Sequence, residues 1–292
     1  MTSRAVALVV NPSAGGGRAA AALPRVRERL LALGLDVETA ATRDLDHARQ
    51  LAADAARSGR VVAALGGDGL LGCVAGALRE VPGAVMGVLP GGRGNDFARM
   101  AGIPLDAEAA CDVIAHGRPK AIDLGVAGER AFIGIASLGF DSDANRIANE
   151  APPQLGRLVY VYGLLRAMAA WHHASFTVEV DGERVSFSGW SVAAANSKAY
   201  GGGMLLAPDA RLDDGALDVV MISDLSKLAY VRAAPSVFNG THVRNPAVRI
   251  LRGAEVRVES DRPFVVYADG DPIGETPITL RAAPAALRVL MP

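Results

Sequence analysis

Residues 61–72, VVAALGGDGLLG, show how the first half of the chain folds. An apolar run of strand-forming residues leads into a glycine-rich turn, and a second apolar run follows it. Nearly continuous apolar strands are typical of a parallel sheet that is covered on both faces. The turn also carries Asp68 at its centre, so a loop suited to hold phosphate through its backbone contains a negative charge.

The same alternation of strand and helix extends over residues 1–124. It predicts strands at 5–10, around 36–42, at 61–65 and at 84–89, and helices at 19–33, 45–58, 70–81 and 107–116. Strand, helix and strand at these spacings predict a doubly wound α/β domain with a parallel sheet.

After residue 124 the pattern changes to short strands joined by Gly, Asp and Pro turns, with helices predicted only at 155–171 and 225–238. This texture is typical of an antiparallel β-sandwich. Residues 286–291 are expected to close back onto the first domain. We therefore predict an α/β domain at 1–124 with the tail 282–292, a sandwich at 125–281, and a ligand cleft between them.

Composition narrows the function classes. The formal net charge is −1 over 292 residues, so no overall field recruits nucleic acid or an anionic bilayer. Cys73 and Cys111 are too few for a disulfide framework or a zinc site, which favours the cytoplasm. Residues 155–171 are apolar but short for a membrane span and contain Arg157 and Arg166. A helix packed on protein is the favoured interpretation, and contact of one face with lipid is the alternative.

Three glycine-rich loops follow predicted strands, at residues 11–18 (NPSAGGGR), 66–69 (GGDG) and 90–99 (PGGRGNDFAR). Any one of them could be a purely structural turn. In a doubly wound sheet, however, loops at the carboxyl ends of the strands line one crevice, so we expect all three to face one ligand. Their backbone N–H groups suit phosphate oxygens.

Asp68 decides between two kinds of nucleotide site. Gly67, Gly69 and Gly72 match G-x-G-x-x-G, but that dinucleotide motif belongs after the first strand, and Asp68 would repel a pyrophosphate. A cation between them removes the conflict, and Mg²⁺ commonly uses one or two carboxylates with phosphate oxygens. No G-x-x-x-x-G-K-[ST] motif occurs in the chain. Asp96 adds a second carboxylate, with helix capping by Asn95 and Asp96 as the structural alternative.

These loops, in this order, resemble the diacylglycerol kinase catalytic-domain family of soluble bacterial lipid kinases, which is related to sphingosine and ceramide kinases. The second half agrees at LGFD (138–141), Asn196, YGGG (200–203), PDARLDDGALD (208–218) and YADGD (267–271). The resemblance implies a phosphofructokinase-like α/β domain followed by a β-sandwich. It also implies transfer of phosphate from ATP to a lipid hydroxyl, with diacylglycerol giving phosphatidic acid.

The resemblance further implies which residues form the site. Those expected at ATP are Asn11, Pro12, Ser13, Ala14, Gly15, Thr42, Gly66, Gly67, Asp68, Gly69, Leu70, Leu71, Gly72, Arg93, Asn95 and Asp96. Asp68 belongs to the Mg²⁺–nucleotide site, and a second, structural magnesium is implied at the Asp214 carboxylate and the main-chain oxygens of Arg211 and Ala216. Asp271, or with less support Asp269, would accept the proton of the lipid hydroxyl.

The sequence departs from the family pattern at Leu70 and Gly72, where Thr and Asn are usual, at Arg93, where Thr is usual, and at Asp271, where Glu is usual. Arg93 could clamp a phosphate or crowd the nucleotide. These departures keep three alternatives open: an NAD kinase-like enzyme, a sphingoid-type lipid kinase, and a non-catalytic nucleotide- or lipid-binding protein. The expected partner is a lipid at a membrane surface, reached transiently from the cytoplasm, and a homodimer is compatible with the sequence.

Overall fold

A computed structural model of the chain describes residues 4–150 and 159–292. Its first half contains the expected alternation of strands and helices. The elements are β1 (Ala5–Val10), α1 (Ala14–Ala32), β2 (Asp36–Ala41), α2 (Leu45–Arg57), β3 (Val61–Gly66), α3 (Asp68–Leu78), β4 (Val85–Pro90), α4 (Asp96–Met100) and α5 (Cys111–His116).

The four strands are parallel and lie in the order β4-β3-β1-β2. β1, β3 and β4 are buried over most of their length, as their apolar runs predict. β2 lies at the edge and is largely accessible, which explains its more polar sequence DVETAA. The carboxyl ends of β1, β3 and β4 are adjacent, so the three glycine loops leave the sheet side by side.

Several helix bounds differ from those predicted. α3 begins at Asp68 rather than Leu70, because this side chain lies at the helix N-terminus, where a negative charge is favourable. α1 begins at Ala14, but Gly15, Gly16 and Gly17 have φ of 63°, 72° and 92°, so regular helix starts after the glycines. α5 is shorter than 107–116, and the short helix α4 was not predicted.

The second half is built on antiparallel strands. They are β5 (Arg118–Ala127), β6 (Arg130–Phe132), β7 (Ile135–Gly139), β8 (Ala174–Val180), β9 (Glu183–Ala195), β10 (Leu217–Ser223), β11 (Val248–Gly253), β12 (Glu255–Ser260), β13 (Val265–Ala268), β14 (Asp271–Glu275) and β15 (Ile278–Met291). A core separate from that of the first domain lies between them and contains Phe176, Trp190, Val192 and Val258. The predicted fold class, an α/β domain followed by a β-sandwich domain, is confirmed.

β15 joins the two halves. Its first part pairs with β12 and β5, and Arg288 and Val289 then pair in parallel with Val85 and Met86 of β4. The last strand of the sandwich is therefore also an edge of the α/β sheet. β5 runs through the boundary predicted at residue 124, so the proposed domain limits stay a prediction.

Helices α6 (Phe140–Glu150), α7 (Val159–Ala170) and α8 (Lys227–Ala233) belong to the second half. α6 was not predicted. Part of the helix predicted at 155–171 lies outside the described residues, and α7 covers the rest, with Ala167 and Trp171 in the sandwich core. The helix predicted at 225–238 is α8 followed by a 3₁₀ helix at Ala234–Asn239. None of the described helices is both long and apolar enough to cross a membrane.

Candidate functional site

The second and third glycine loops are in direct contact. The Gly91 amide donates to the Gly66 carbonyl at 2.7 Å, and a Cβ placed on Gly67 would lie 3.2 Å from the Gly92 Cα. Within the third loop, Asn95 Oδ1 accepts from the Gly92 amide at 2.8 Å, and Asn95 adopts φ of 52°. The close approach of the two backbones requires glycine.

The first loop lies against the third. Arg18 donates from Nε to the Gly15 carbonyl at 3.2 Å and from its terminal nitrogen to the Gly92 carbonyl. Asn11 Oδ1 accepts from both the amide and the hydroxyl of Ser13, which folds the segment containing Pro12 and Ala14.

Thr42 follows the neighbouring strand β2, and its amide donates to the Val10 carbonyl at 2.8 Å. The predicted ATP-binding segments are thus brought together at one edge of the sheet.

Asp68 begins α3 and also caps α4. Its Oδ1 accepts from the Phe97 amide at 3.1 Å, and its Oδ2 accepts from the Asp96 amide at 3.2 Å. Burial raises the pKa of Asp68, and the nearby Asp96 charge raises that pKa further, against the lowering effect of the amide bonds. Asp68 therefore both positions α4 and concentrates negative charge.

Asp96 is buried, with a side chain only 6% exposed. Its Oδ2 accepts from the Gly202 amide at 2.8 Å, whereas its Oδ1 has no hydrogen-bond partner among the described residues. A buried carboxylate oxygen without a partner is costly, because nothing replaces its lost hydration. A cation beside Asp68 and Asp96 would remove that cost.

The observed ligand chemistry fits Mg²⁺. Within residues 4–150 and 159–292, no group of three or more Asp, Glu, His or Cys side chains is arranged to hold a metal by itself. Mg²⁺ commonly takes only one or two carboxylates and completes its shell with water and substrate phosphates. Asp68 with the unpartnered Asp96 oxygen meets that requirement next to loops suited to phosphate.

Asp269 faces the same site from the β13–β14 turn. Its two oxygens accept from the Ile133 amide at 2.8 Å and the Gly134 amide at 2.9 Å. Burial raises the pKa of Asp269 to about 7, with added repulsion from Asp68 and Asp271. Asp269 is therefore a carboxylate that changes protonation near neutral pH.

Asn196 supports this position from behind. Its Nδ2 donates to the carbonyls of Asp123 and Ile133, at 3.0 Å each, and its backbone amide donates to Gly134 at 2.9 Å. Asn196 is fully buried. The sequence indicated Asn196 only as part of a family motif, and the Ile133 and Gly134 amides had no sequence signal.

Asp271 lies on the other side of α3. A Cβ placed on Gly69 would be 2.6 Å from its Oδ2. Burial raises the pKa of Asp271, partly offset by Arg130 and Arg49. Asp271 is absent from the lining of the large cavity described below, whereas Asp269 belongs to it.

The unusual residues Leu70 and Gly72 have structural explanations. Leu70 and Leu71 are 3% and 1% exposed, so their side chains belong to the core and only their backbones could contact a nucleotide. A Cβ on Gly72 would lie 2.6 Å from Asp269 Oδ2, so glycine there lets Asp269 approach α3. Arg93 is exposed and lines the cavity with Asp68.

A cavity of about 870 Å³ opens from this acidic site into the sandwich domain. Asp68, Asp96 and Asp269 line one end. Much of the remaining wall is apolar and includes Ile135, Leu206, Ile222, Val237 and Phe238. The arrangement suits a ligand with a polar reacting end and a long apolar body.

A second polar group lies in the wall of this cavity. Tyr200 donates from its hydroxyl to Asp141 Oδ2 at 3.2 Å, and Tyr230 and Ser191 also hydrogen-bond to Asp141. Burial raises the pKa of Asp141 to about 6. His242, 6% exposed, also lines the cavity. Its Nε2 lies 3.0 Å from the Leu206 carbonyl, and its buried Nδ1 has no partner among the described residues.

The predicted structural magnesium site falls in the turn before β10. Asp214 forms an ion pair with Arg252, lies 4.0 Å from Arg211 Nε, and accepts from the Ala216 amide at 3.2 Å. Asp123 fixes the same turn by accepting from the Gly215 amide at 2.7 Å. These arginines occupy the Asp214 carboxylate, and the metal site stays a prediction.

The fold and site together define a two-domain protein whose glycine loops and carboxylates adjoin an apolar cavity. The chain belongs to the diacylglycerol kinase and YegS-like lipid kinase family. A model described as the diacylglycerol kinase catalytic domain matches residues 5–127, and one described as the YegS C-terminal NAD kinase beta sandwich-like domain matches residues 134–291. The resemblance seen in the sequence is confirmed.

Individual relatives agree. The chain is 35% identical to a diacylglycerol kinase of Mycobacterium tuberculosis (strain ATCC 25618 / H37Rv), over 98% of this chain and 95% of that protein. It is 30% identical to a protein of Chromohalobacter salexigens named as a YegS-like lipid kinase, over 93% of this chain and 90% of that protein.

Solved structures from Bacillus anthracis str. Sterne share the fold. One, of a diacylglycerol kinase, has a TM-score of 0.76 at 18% identity and covers 100% of this chain and 98% of that chain. Another chain has a TM-score of 0.84 at 21% identity, over 99% and 95% respectively.

Proposed function

We propose that this protein transfers the γ-phosphoryl group of ATP to the hydroxyl of a membrane lipid, with diacylglycerol as acceptor and phosphatidic acid as product. The observation that carries the proposal is the junction of two different environments. The glycine loops and the Asp68–Asp96 pair lie at one end of a cavity whose remaining wall is largely apolar. Membership of a lipid kinase family agrees with this reading.

ATP binds at the three glycine loops in this proposal. Backbone amides of residues 11–15 and 66–69 face its phosphates, and Arg93 adds a positive charge at the cavity side. Mg²⁺, held by Asp68 and Asp96, would neutralise charge that develops on the transferring phosphoryl group. Catalysis then depends mainly on positioning and electrostatics, since this reaction needs no covalent enzyme intermediate.

Asp269 is the better candidate for the general base. It lines the cavity, whereas Asp271 does not, and its pKa of about 7 lets it be ionised and still basic near neutral pH. The Ile133 and Gly134 amides fix the carboxylate, and each of its oxygens retains a lone pair for the acceptor hydroxyl. Asp271 then shapes the local charge from behind α3.

The acceptor lies in the cavity with its tail along the apolar wall. Asp141 with Tyr200 and Tyr230 forms a polar contact point for groups on the acceptor next to the reacting hydroxyl. His242 Nδ1 is a further hydrogen-bonding position. These groups allow the protein to distinguish lipid alcohols by their polar parts.

A panel assay tests the proposal. Purified protein receives ATP and Mg²⁺ with diacylglycerol, monoacylglycerol or a sphingoid base in mixed micelles, and the phosphorylated lipid is identified. We expect diacylglycerol to be phosphorylated. Asp68→Asn should reduce turnover on the order of a hundredfold or more, because it removes charge at the transferring phosphate. Its melting temperature should stay close to that of the unchanged protein, since Asn can still accept the α4 amides.

Each contrary result has a definite meaning. Phosphorylation of another lipid alone would replace the acceptor. ATP binding without turnover on any lipid would favour the non-catalytic alternative. Full turnover by the Asp68→Asn variant would contradict the assigned role of Asp68.

A further inference from the structure

Apolar side chains that are strongly exposed cluster at the mouth of the cavity. In the described part of the chain, four large apolar side chains are more than half exposed: Leu165, Leu228, Val231 and Phe238. Three of these lie within residues 228–238. Val231 and Phe238 also line the cavity. We refer to residues 227–244, which include α8 and the following 3₁₀ helices, as the rim segment.

Helix α8 has two distinct sides. At 100° per residue, Lys227, Leu228, Val231 and Arg232 fall on one arc, and all four are exposed. Ala229, Tyr230 and Ala233 fall on the opposite arc. Tyr230 stacks on Trp190 with ring centroids 4.0 Å apart, which anchors α8 to the sandwich domain. The outward arc therefore carries two apolar side chains flanked by two cations.

The charge of this region differs from that of the whole chain. The protein has 30 Lys and Arg residues against 31 Asp and Glu, yet residues 225–254 contain five cations and no carboxylate. Arg249 and Arg252 pair with Glu183 and Asp214. For Lys227, Arg232 and Arg244, no carboxylate partner occurs among the described residues, so their charges face outward uncompensated.

We propose that the rim segment is the surface that docks on an anionic lipid bilayer, with Leu228, Val231 and Phe238 inserted between headgroups. Apolar residues flanked by Lys and Arg on an exposed helix are typical of interfacial binding. Because Val231 and Phe238 belong to both the rim and the cavity wall, a lipid tail passes from bilayer to cavity along continuous apolar surface. This inference rests on the proposed reaction, since it supplies the route of the lipid acceptor.

The adjoining helix α7 extends this surface. Lys227 Nζ donates to the Ala169 carbonyl in the last turn of α7 at 3.2 Å, and Leu165, one turn earlier, is 64% exposed. The sequence pointed to residues 155–171 as the lipid-facing edge. The structure instead favours the rim segment as the main contact, because Ala167 and Trp171 are buried in the sandwich core.

Vesicle flotation tests the docking surface without nucleotide. The full chain is mixed with vesicles of phosphatidylcholine alone or of phosphatidylcholine with phosphatidylglycerol. We expect flotation with the anionic vesicles and weaker flotation at high salt. Leu228→Glu should weaken binding on the order of tenfold, by placing a charge in the interface. The double variant Lys227→Gln/Arg232→Gln should weaken binding by a similar factor, since each cation near an anionic surface is worth about fivefold or more.

Two controls make the result specific. Leu31→Glu introduces the same charge at a leucine that is 43% exposed on α1, away from the cavity, and should float like the unchanged protein. Leu228→Met should retain binding. Leu228 is not part of the cavity lining, so Leu228→Glu should keep turnover on a short-chain diacylglycerol dispersed as monomers.

Equal flotation of the Leu228→Glu and Leu31→Glu variants would overturn the docking surface. Failure of the unchanged protein to bind either vesicle would overturn it as well. Turnover of the short-chain acceptor in those cases would leave the proposed reaction intact, and loss of that turnover in the unchanged protein would contradict the reaction itself.

Discussion

The Asp269 carboxylate combines access to the cavity, two fixed hydrogen bonds and a pKa of about 7. Its neighbours explain the raised pKa, because burial removes water and Asp68 and Asp271 add negative charge. Asp96 contributes a different property, a buried oxygen that lacks a partner. The chemistry that we propose thus depends on carboxylates whose ionised forms the protein leaves incompletely compensated.

A pH profile tests the assignment of Asp269. A general base must be ionised, so activity should be low below the pKa and should rise as the pH increases through about 7. We expect kcat/KM for lipid phosphorylation to follow such a rising limb, measured at constant ionic strength and saturating Mg²⁺. Asp269→Asn should lower kcat by about 10²- to 10⁴-fold and abolish the limb.

Asp271→Asn provides the comparison. This variant should keep the rising limb, because Asp271 lies outside the cavity lining. If the limb disappeared in Asp271→Asn and persisted in Asp269→Asn, Asp271 would be the base, as the family resemblance implies.

Helix α3 links the glycine loop to the carboxylates of the β13–β14 turn. Its N-terminus carries Asp68, and its glycine face packs against Asp269 and Asp271. Gly69 and Gly72 leave room for these two side chains, so α3 and the turn approach more closely than larger residues would allow. The departure from the family pattern at Gly72 is therefore part of how the turn is seated.

Gly72→Ala and Gly76→Ala form a matched pair within α3. The first would place a Cβ 2.6 Å from Asp269 Oδ2, so Asp269 must move. We expect Gly72→Ala to reduce turnover and to lower the free energy of unfolding by about 1–3 kcal/mol.

In Gly76→Ala the new Cβ would meet the Ala131 Cβ at 3.4 Å, an ordinary contact. The gain in helix propensity should then leave stability equal or higher, by about 0.5–1 kcal/mol. Urea unfolding and kinetic assays of both variants measure these effects. Equal behaviour of the two variants would show that the approach of Asp269 to α3 is unimportant.

The whole molecule depends on β15, which pairs with strands of both halves. Its final residues fill the core of the α/β domain, where Val289 and Leu290 are fully buried. The acidic site lies between loops of the first domain and a turn of the second. Its geometry is therefore sensitive to how firmly β15 holds the two together.

Leu290→Ala tests this coupling. Removing a fully buried leucine should lower the free energy of unfolding by about 2–5 kcal/mol, through lost burial and the cavity that remains. Arg288→Ala changes an exposed residue of the same strand and should stay within about 0.5 kcal/mol. Chemical denaturation of both variants gives the comparison. A small effect of Leu290→Ala would mean that the C-terminal strand contributes little to the core.

The sequence alone determined the class of fold, because strand and helix periodicity and the switch to short strands are local properties. It also indicated the glycine loops and Asp68, since a carboxylate in a phosphate-type loop is unusual wherever the chain goes. Only the tertiary structure brought Asp269 to the Ile133 and Gly134 amides, left Asp96 Oδ1 without a partner, and set Val231 and Phe238 at the cavity mouth. These features join residues far apart in the chain, and their burial and pKa depend on neighbours that no local pattern specifies.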